Sequence, residues 1–214
     1  MEEPESDAGQ LGDMPSSGGK RRFGSLRELP VLLLVAFVFA LIIKTFLVQA
    51  FFIPSASMEP TLEGPGDRVL VNKLWFAPRV PSRGDIVVFH NPDYVPPERG
   101  PVLAALHWMG EGLGFGQAKT EFLVKRVIGL PGETVTVTAD GVSIDGGLLV
   151  EPYANLTSGP GPTGEWQVSE GQVFMMGDNR GNSGDSRVFG PVPVSSIVGR
   201  AFLRIWPLSR WGGL

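Results

Sequence analysis

The sequence predicts a mainly β protein, in which an antiparallel β-sheet or barrel-like domain follows one N-terminal transmembrane helix. The helix is predicted by one long apolar run, residues 29–53. The sheet is predicted by a series of short apolar or alternating segments that Gly and Pro separate. The composition agrees, since 29 Gly and 19 Pro among 214 residues favour strands and turns over long helices.

The first 28 residues are polar and contain a basic cluster, Lys20, Arg21, Arg22 and Arg27. A segment of this composition cannot bury enough apolar surface to fold, so residues 1–28 are predicted to be a disordered tail. Positive charge precedes the apolar run and is sparse after it. The tail is therefore predicted to face the cytoplasm.

Residues 29–50 are predicted to form a transmembrane anchor, because a membrane-crossing helix needs roughly 20 predominantly apolar residues. The protein would then cross the cell membrane once and contact the lipid bilayer, with a β domain of residues 51–214 on the extracytoplasmic side. The alternative is a cleaved signal peptide, for which residues 48–50 offer a poor cleavage site. The apolar side chains that continue through Phe51 and Phe52 favour the anchor.

The domain after the anchor shows strand patterns that turn signals separate. Alternation and β-forming composition predict strands at 68–76, 86–90, 121–130, 133–138, 142–150, 172–176 and 197–206. Asp140-Gly141 between two of these strands is a hairpin signal. Residues 91–118, which contain two consecutive prolines, are predicted to be an insertion, and residues 151–170 are predicted to be a loop.

The composition excludes several kinds of site. With 18 Lys and Arg against 22 Asp and Glu, the net charge is −4, so no global basic field is available to bind nucleic acid. The absence of Cys excludes thiol nucleophiles and thiolate metal sites. The two histidines, His90 and His107, cannot build a His-rich metal centre alone. We therefore predict no nucleic-acid partner, no metal and no cofactor.

Residues 54–61, Pro-Ser-Ala-Ser-Met-Glu-Pro-Thr, hold two serines between two prolines. Each proline fixes its own φ and biases the preceding residue away from the helical region. The apolar helix should therefore stop near Ile53, and the peptide beyond it should be extended and rigid. Such a peptide suits a nucleophile, Ser57, and it also suits a plain linker.

Lys125 is a candidate general base in the strand predicted at 121–130. Side chains alternate between the faces of a strand, so Leu123, Lys125 and Val127 share one face while Arg126 points the other way. Burial among apolar neighbours lowers the pKa of a lysine, and a shift from about 10.4 to about 8 costs roughly 3 kcal/mol. The alternative is an ordinary exposed lysine on a strand.

A serine nucleophile needs a base. A Ser57–His90–Asp85 triad can be written down, but Ser57 lies in no Gly-x-Ser-x-Gly elbow. A Ser-x-x-Lys arrangement fails because residue 60 is Pro. A Ser57–Lys125 dyad is the most economical arrangement that remains.

Four motifs resemble those of the type I signal peptidases and stand in the same order along the chain. Residues 54–61 match seven of the eight positions of Pro-Ser-Gly-Ser-Met-x-Pro-Thr, with Ala56 in place of Gly. Residues 83–85 are Arg-Gly-Asp, and residues 125–132 match Lys-Arg-x-x-Gly-x-Pro-Gly. Residues 177–187 match Gly-Asp-Asn-x-x-x-Ser-x-Asp-Ser-Arg.

The resemblance implies a membrane-bound serine endopeptidase that removes N-terminal signal peptides from secretory precursor proteins through an acyl-enzyme intermediate. By the same resemblance, Ser57 is the nucleophile and Lys125 is its general base. The backbone N–H of Ser57 and the hydroxyl of Ser55 correspond to the oxyanion hole. The family uses neither a metal nor a cofactor for this reaction.

The resemblance also implies supporting residues around the dyad. Ser183 would orient the base lysine, and Asp185 and Arg187 would form a supporting ion pair. Apolar walls would accept small side chains at the first and third positions before the cut. These substrate-binding walls are predicted to include Ile53, Pro54, Met58, Leu62, Leu123 and Val124.

Two other functions fit parts of the sequence. A related Ser–Lys protease that cleaves itself shares the chemistry, but the predicted membrane span argues against it. A non-catalytic, membrane-tethered β-domain that binds peptides or envelope partners would need neither Ser57 nor Lys125. Incubation with a secretory precursor separates these functions, because a protein that only binds leaves the precursor whole.

Overall fold

The computed structural model describes residues 29–42, 47–74, 80–95 and 121–214. The predicted tail and most of the predicted insertion at 91–118 lie outside the described residues. The chain divides into two compact units, Met1–Phe39 and Ala40–Leu214.

Helix α1, Leu29–Ile42, has 14 residues, and its large apolar side chains from Leu29 to Phe39 are exposed. No helix in the described ranges is both long and apolar enough to cross a membrane. The prediction of a helix that reaches residue 50 is wrong at its C-terminal end, because residues 48–52 form a strand. That strand pairs with residues 68–72, and its side chains alternate, with Phe51 buried and Phe52 exposed.

In the described part of the second unit, two strands have eight and ten residues, and the others have two to five. The strands are β1 Val48–Phe52, β2 Arg68–Asn72, β3 Ile86–His90, β4 Phe122–Gly129, β5 Thr134–Thr138, β6 Gly141–Ile144, β7 Gly147–Leu148, β8 Gly164–Gln167, β9 Gln172–Met176, β10 Val192–Pro193, β11 Ile197–Trp206 and β12 Gly212–Gly213. A single further turn of α-helix, α2, covers Ser186–Phe189. The predicted mainly β, antiparallel fold class is confirmed.

The main sheet has eight strands, in the order β1-β2-β11-β3-β4-β9-β10, with β12 paired to β11. Strand β4 lies between β3 and β9, and Lys125 is in register with Val87 of β3. Phe51 of β1 and Phe122 of β4 meet edge to face, with ring centroids 5.5 Å apart. Because three strands separate β1 from β4 in the sheet, this contact requires the sheet to curl into a half-barrel.

The second sheet has four strands, in the order β7-β6-β5-β8. The predicted hairpin at Asp140-Gly141 joins β5 to β6, with Thr138 opposite Gly141. Two predictions in this region are wrong. The single strand predicted at 142–150 is split between β6 and β7 by a turn, in which Asp145 has a φ of 49°. The loop predicted at 151–170 contains β8, which pairs with β5.

A buried cluster fixes the segment that follows β1. Ile53, Met58 and Leu62 are buried there together with Val69 and Val71 of β2. Burial of such a side chain contributes roughly 1.5–3 kcal/mol, so the three residues hold the segment between β1 and β2 firmly against the sheet. Leu62, which was predicted to form a wall of the substrate site, is completely covered in this core and is not among the residues that line the groove described below.

Candidate active site

Ser57 lies in a single turn of 3₁₀ helix, Ala56–Met58. The residue before this turn, Ser55, has an extended backbone with φ −127° and ψ 156°. The turn continues into the core, because Leu62 N–H donates a hydrogen bond of 2.9 Å to the Met58 carbonyl. Ser57 is 9% exposed, so its hydroxyl lies at the edge of the protein interior.

Asn179 holds the Ser57 turn through two hydrogen bonds. Its backbone N–H donates to the Ser57 carbonyl at 3.1 Å, and its Nδ2 donates to the Ala56 carbonyl at 3.1 Å. The close approach depends on Gly177, because a β-carbon there would overlap the Ser57 carbonyl oxygen. Asn179 belongs to the Gly-Asp-Asn motif, but its role could not be read from the sequence.

Lys125 lies in β4 with 2% of its surface exposed, and its Nζ is 2.7 Å from Ser57 Oγ. Desolvation lowers the pKa of Lys125 from 10.5 to about 8. The carboxylates of Asp185 and Asp178 oppose this shift, and the Arg187 guanidinium adds to it. A lysine in this environment can lose its proton near neutral pH and then accept one from the serine hydroxyl.

Ser55 lies at the exposed side of the dyad. Its Oγ is 3.2 Å from Ser57 Oγ, within hydrogen-bond distance. A hydroxyl at this position can donate a hydrogen bond toward an oxygen that develops charge next to Ser57.

The three supporting residues predicted from the family resemblance lie in the segment 183–187. Asp185 and Arg187 form a completely buried ion pair at 2.8 Å, and Asp185 also accepts a hydrogen bond from Gly177 N–H at 2.9 Å. Ser183 makes no hydrogen bond to Lys125, because its buried Oγ has no partner in the part of the chain that the structure describes.

A second buried ion pair joins β4 to the Gly-Asp-Asn motif. Arg126 donates to both carboxylate oxygens of Asp178, at 2.8 and 2.6 Å, and its Cζ lies 4.0 Å from the centre of the Tyr153 ring. Thr61 Oγ1 donates to Asp178 Oδ2 at 2.6 Å. This network ties the segment that follows Ser57 to the strand of Lys125. In the sequence, the only local sign of this network is that Arg126 directly follows Lys125.

A groove of about 180 Å³ opens beside Ser57 and Lys125. Most of the predicted wall residues line it, namely Ile53, Pro54, Met58, Leu123 and Val124. Three aromatic residues that the sequence analysis did not assign, Phe51, Phe52 and Phe122, complete its apolar lining. The groove therefore runs between the end of β1 and the start of β4, where an extended peptide would pass the Ser57 hydroxyl.

The alternative histidine triad is excluded by geometry. Asp85 precedes β3 and pairs with Arg200 at 3.1 Å, whereas His90 ends β3 and packs against Phe122. Five residues of strand separate the two by roughly 16 Å, so Asp85 cannot orient the imidazole.

Comparisons with known proteins identify the family. The pattern of the family described as "Signal peptidase, peptidase S26" matches residues 26–206, and this chain belongs to that family. A probable signal peptidase I-1 of Synechocystis sp. is 43% identical over 195 residues, which cover 88% of this chain and 87% of that protein. A signal peptidase I of Mycobacterium tuberculosis is 36% identical over 220 residues, with coverages of 88% and 75%.

A solved structure of a signal peptidase I from Enterococcus faecalis is 30% identical in sequence, with a TM-score of 0.39. It covers 57% of this chain, and the match spans 97% of that structure. The family and the curated relatives establish a serine endopeptidase of the signal peptidase class. A non-catalytic peptide-binding domain is accordingly not favoured.

Proposed function

We propose that this enzyme removes N-terminal signal peptides from secretory precursor proteins, with Ser57 as nucleophile and Lys125 as general base. The observation that carries the proposal is the 2.7 Å distance between Lys125 Nζ and Ser57 Oγ inside an apolar groove. The lowered pKa of Lys125, about 8, supports the same assignment, because a fraction of the molecules then holds a neutral amine at physiological pH.

In the proposed reaction, neutral Lys125 accepts the proton of Ser57 while Oγ attacks the carbonyl carbon at the cleavage site. The backbone N–H of Ser57 and the hydroxyl of Ser55 donate hydrogen bonds to the oxyanion. Lys125 then donates its proton to the leaving amine, which becomes the new N-terminus of the mature protein. A water molecule, whose proton Lys125 accepts, then attacks the acyl carbon. The bond from Ser57 Oγ to the acyl group breaks, Lys125 returns the proton to Oγ, and the signal peptide leaves with a new C-terminal carboxylate.

Residues of the 177–187 motif complete the proposed site. Ser183 is proposed to be a second hydrogen-bond partner that orients Lys125, and its buried hydroxyl, which has no partner among the described residues, supports this role. Asp185 and Arg187 would keep this segment in place through their buried ion pair. We propose that the groove accepts small side chains at the first and third positions before the cut, with Ile53 and Val124 among the apolar residues that line it.

We also propose that the apolar residues 29–46 anchor the enzyme in the membrane, with residues 1–28 in the cytoplasm and the β domain outside. The exposed apolar side chains of α1 and the basic cluster before it support this topology. From residue 47 to Ser57 an extended chain reaches at most about 36 Å, so the nucleophile stays near the membrane surface. Signal peptides present their cleavage site there, just beyond their apolar region.

Cleavage of a secretory precursor by the purified full chain tests the proposal. Ser57→Ala and Lys125→Ala should each lower kcat/KM by at least roughly 10³-fold, because the two side chains act as one unit. His90→Ala is the control and should leave the rate unchanged within about twofold, since this exposed side chain lies outside the dyad. Appreciable turnover by either dyad variant, with a normal fold by circular dichroism, would reject the role assigned to that residue.

A further inference from the structure

The loop of residues 59–67, which joins the Ser57 turn to β2, packs against the backbone of Ser55. A β-carbon on Gly64 would overlap the Ser55 carbonyl group. The loop is also tied to the preceding residues, because Ile53 N–H donates to the Asp67 carbonyl at 2.9 Å. A displacement of the loop would therefore move the Ser55 backbone and its hydroxyl.

Arg210, in the 3₁₀ turn Leu208–Arg210 near the C-terminus, binds this loop through several groups. Its Nη1 forms ion pairs with Glu63 at 2.7 Å and with Asp67 at 3.3 Å. Its Nη2 donates to the Pro60 carbonyl at 3.3 Å. One guanidinium group thus contacts both ends of the loop.

Arg204 of β11 binds the same loop from a neighbouring position. Its Nη1 donates to the Thr61 carbonyl at 2.8 Å and lies 3.8 Å from Asp67 Oδ2. Its Nε donates to the backbone carbonyl of Arg210, so the two arginines are linked to each other. Together they join the loop to the last strand of the curled sheet.

Asp67 favours the loop conformation in which both arginines lie close to its carboxylate. Its side chain is buried and accepts a hydrogen bond from Glu63 N–H at 2.9 Å. A buried carboxylate is tolerated when cations and donors surround it, and the removal of one partner leaves an uncompensated charge. If either arginine were lost, a rearrangement of the loop that exposed the Asp67 carboxylate to water would lower the free energy of the protein.

We propose that Arg204 and Arg210 are positioning residues for the peptidase reaction, acting through the loop 59–67 on the Ser55 hydroxyl. The inference rests on the proposed function, in which that hydroxyl binds the oxyanion. A contact made in the transition state alone affects kcat and kcat/KM equally and leaves KM unchanged. Neither arginine is among the groups that shift the pKa of Lys125, so the pH dependence of the rate should keep its midpoint near 8.

The test is the kinetics of the full-length Arg210→Gln variant on a soluble peptide that spans a signal-peptide cleavage site. We expect kcat per folded molecule to fall by about tenfold, less than the roughly hundredfold or greater effect of losing an oxyanion donor completely. KM should stay within about twofold of wild type, and the pH midpoint should not move. Near-UV circular dichroism gives the folded fraction for each preparation.

Arg83→Gln is the matched control, because Arg83 forms a similar ion pair with Glu133 at 2.6 Å and, like Arg210, also donates to a backbone carbonyl, here that of Ile128. The exposed fractions of the two arginine side chains are also similar, 26% for Arg83 and 23% for Arg210. The control should keep kcat per folded molecule within about twofold, since this ion pair does not touch the loop 59–67.

Arg210→Lys covers the case in which Arg210→Gln does not fold. It keeps a cation beside Asp67 but lacks the planar fork that also reaches Pro60, so kcat should fall by about fivefold with KM unchanged. A kcat within twofold of wild type in the folded variant would overturn the inference, and so would an equal loss in Arg83→Gln. A wild-type enzyme that leaves the peptide whole, or an active Ser57→Ala variant, would contradict the proposed function instead.

Discussion

Lys125 is placed in the sheet interior, where water cannot stabilise its ammonium form. Desolvation lowers its pKa to about 8, although the nearby carboxylates of Asp178 and Asp185 favour the charged state. A general base must be neutral to accept a proton, so the reactive fraction of the enzyme grows as the pH rises through that pKa. The rate should therefore rise with pH, because a protonated Lys125 has no lone pair that could accept the Ser57 proton.

We expect kcat/KM for a soluble peptide to rise by about tenfold per pH unit below the pKa of Lys125 and to level off above pH 8. Initial rates from pH 6 to pH 10 measure the profile. His90→Ala should show the same midpoint, because His90 does not contact the dyad. A rate that is independent of pH between 6 and 9 would mean that Lys125 is not the group that titrates in catalysis.

Local sequence patterns together with the family resemblance indicated the two residues of the proposed dyad but not the residues that hold them. Strand alternation placed Lys125 on a face with apolar neighbours, and the two prolines indicated a rigid peptide around Ser57. Asn179 was missed because the bond from its side chain to Ala56 spans 123 residues, and no local periodicity reports such a contact. The orienting role of Ser183 stays a prediction.

At the next scale, the Ser57 turn is an element too short to be stable alone. One 3₁₀ turn forms few internal hydrogen bonds, so its conformation depends on neighbours. Asn179 donates to two of its carbonyl groups, and Met58 fixes it to the core. The direction of the Ser57 hydroxyl is therefore set by residues from other parts of the chain.

Asn179→Ala should disturb the position of this turn while changing the stability of the protein little. The variant removes the hydrogen bond to the Ala56 carbonyl, but it also removes a buried Oδ1 that has no partner within the described ranges. The free energy of unfolding should therefore change by less than about 1 kcal/mol. We expect kcat to fall by roughly tenfold, because a small misplacement of a nucleophile is costly. Thermal unfolding and peptide cleavage measure the two quantities.

Asn182→Ala is the control for this experiment, because Asn182 is an exposed amide in the same motif. It should leave both quantities unchanged. If Asn179→Ala lowered stability strongly and kept kcat per folded molecule, Asn179 would have a structural role alone.

Longer strands with a clear apolar or alternating pattern were predicted better than short ones. β3 is an apolar run of strand length and β4 is rich in β-forming residues on both sides of Lys125 and Arg126, and both were found close to the predicted bounds. β8 was missed because its four residues include one apolar side chain, Trp166, between polar neighbours. The predicted helix was extended too far because residues 48–52 are mostly apolar, which fits a membrane helix and a partly buried strand equally well. Their pairing with β2 makes them a strand.

For the whole molecule, the site depends on how the curled sheet brings distant segments together. Ser57 and Lys125 are 68 residues apart, and Thr61 and Asp178 are 117 apart. The fold class could be predicted because alternation is local, whereas the closure through Phe51 and Phe122 could not. The residues after Pro207 carry no periodic pattern, so β12 and the contacts of the C-terminal turn were unpredictable.

The proposed membrane anchor and the β domain would have separate functions, which gives a prediction about the whole molecule. The second compact unit contains both dyad residues and all twelve strands found in the described ranges. A variant that begins at residue 47 should therefore fold and cleave a soluble peptide with a kcat/KM within about threefold of the full chain. On a precursor inserted in lipid vesicles it should be at least about tenfold slower, because confinement to the same membrane raises the effective concentration of enzyme and substrate.

Cleavage of the two substrates by the full chain and by the shortened variant measures this difference. The shortened Ser57→Ala variant provides the background rate for each substrate. Equal rates on the vesicle-bound precursor would show that residues 1–46 do not confine the enzyme to the membrane, and the proposed anchor would then be wrong. A loss of activity on the soluble peptide, with normal folding, would mean instead that these residues contribute to the site itself.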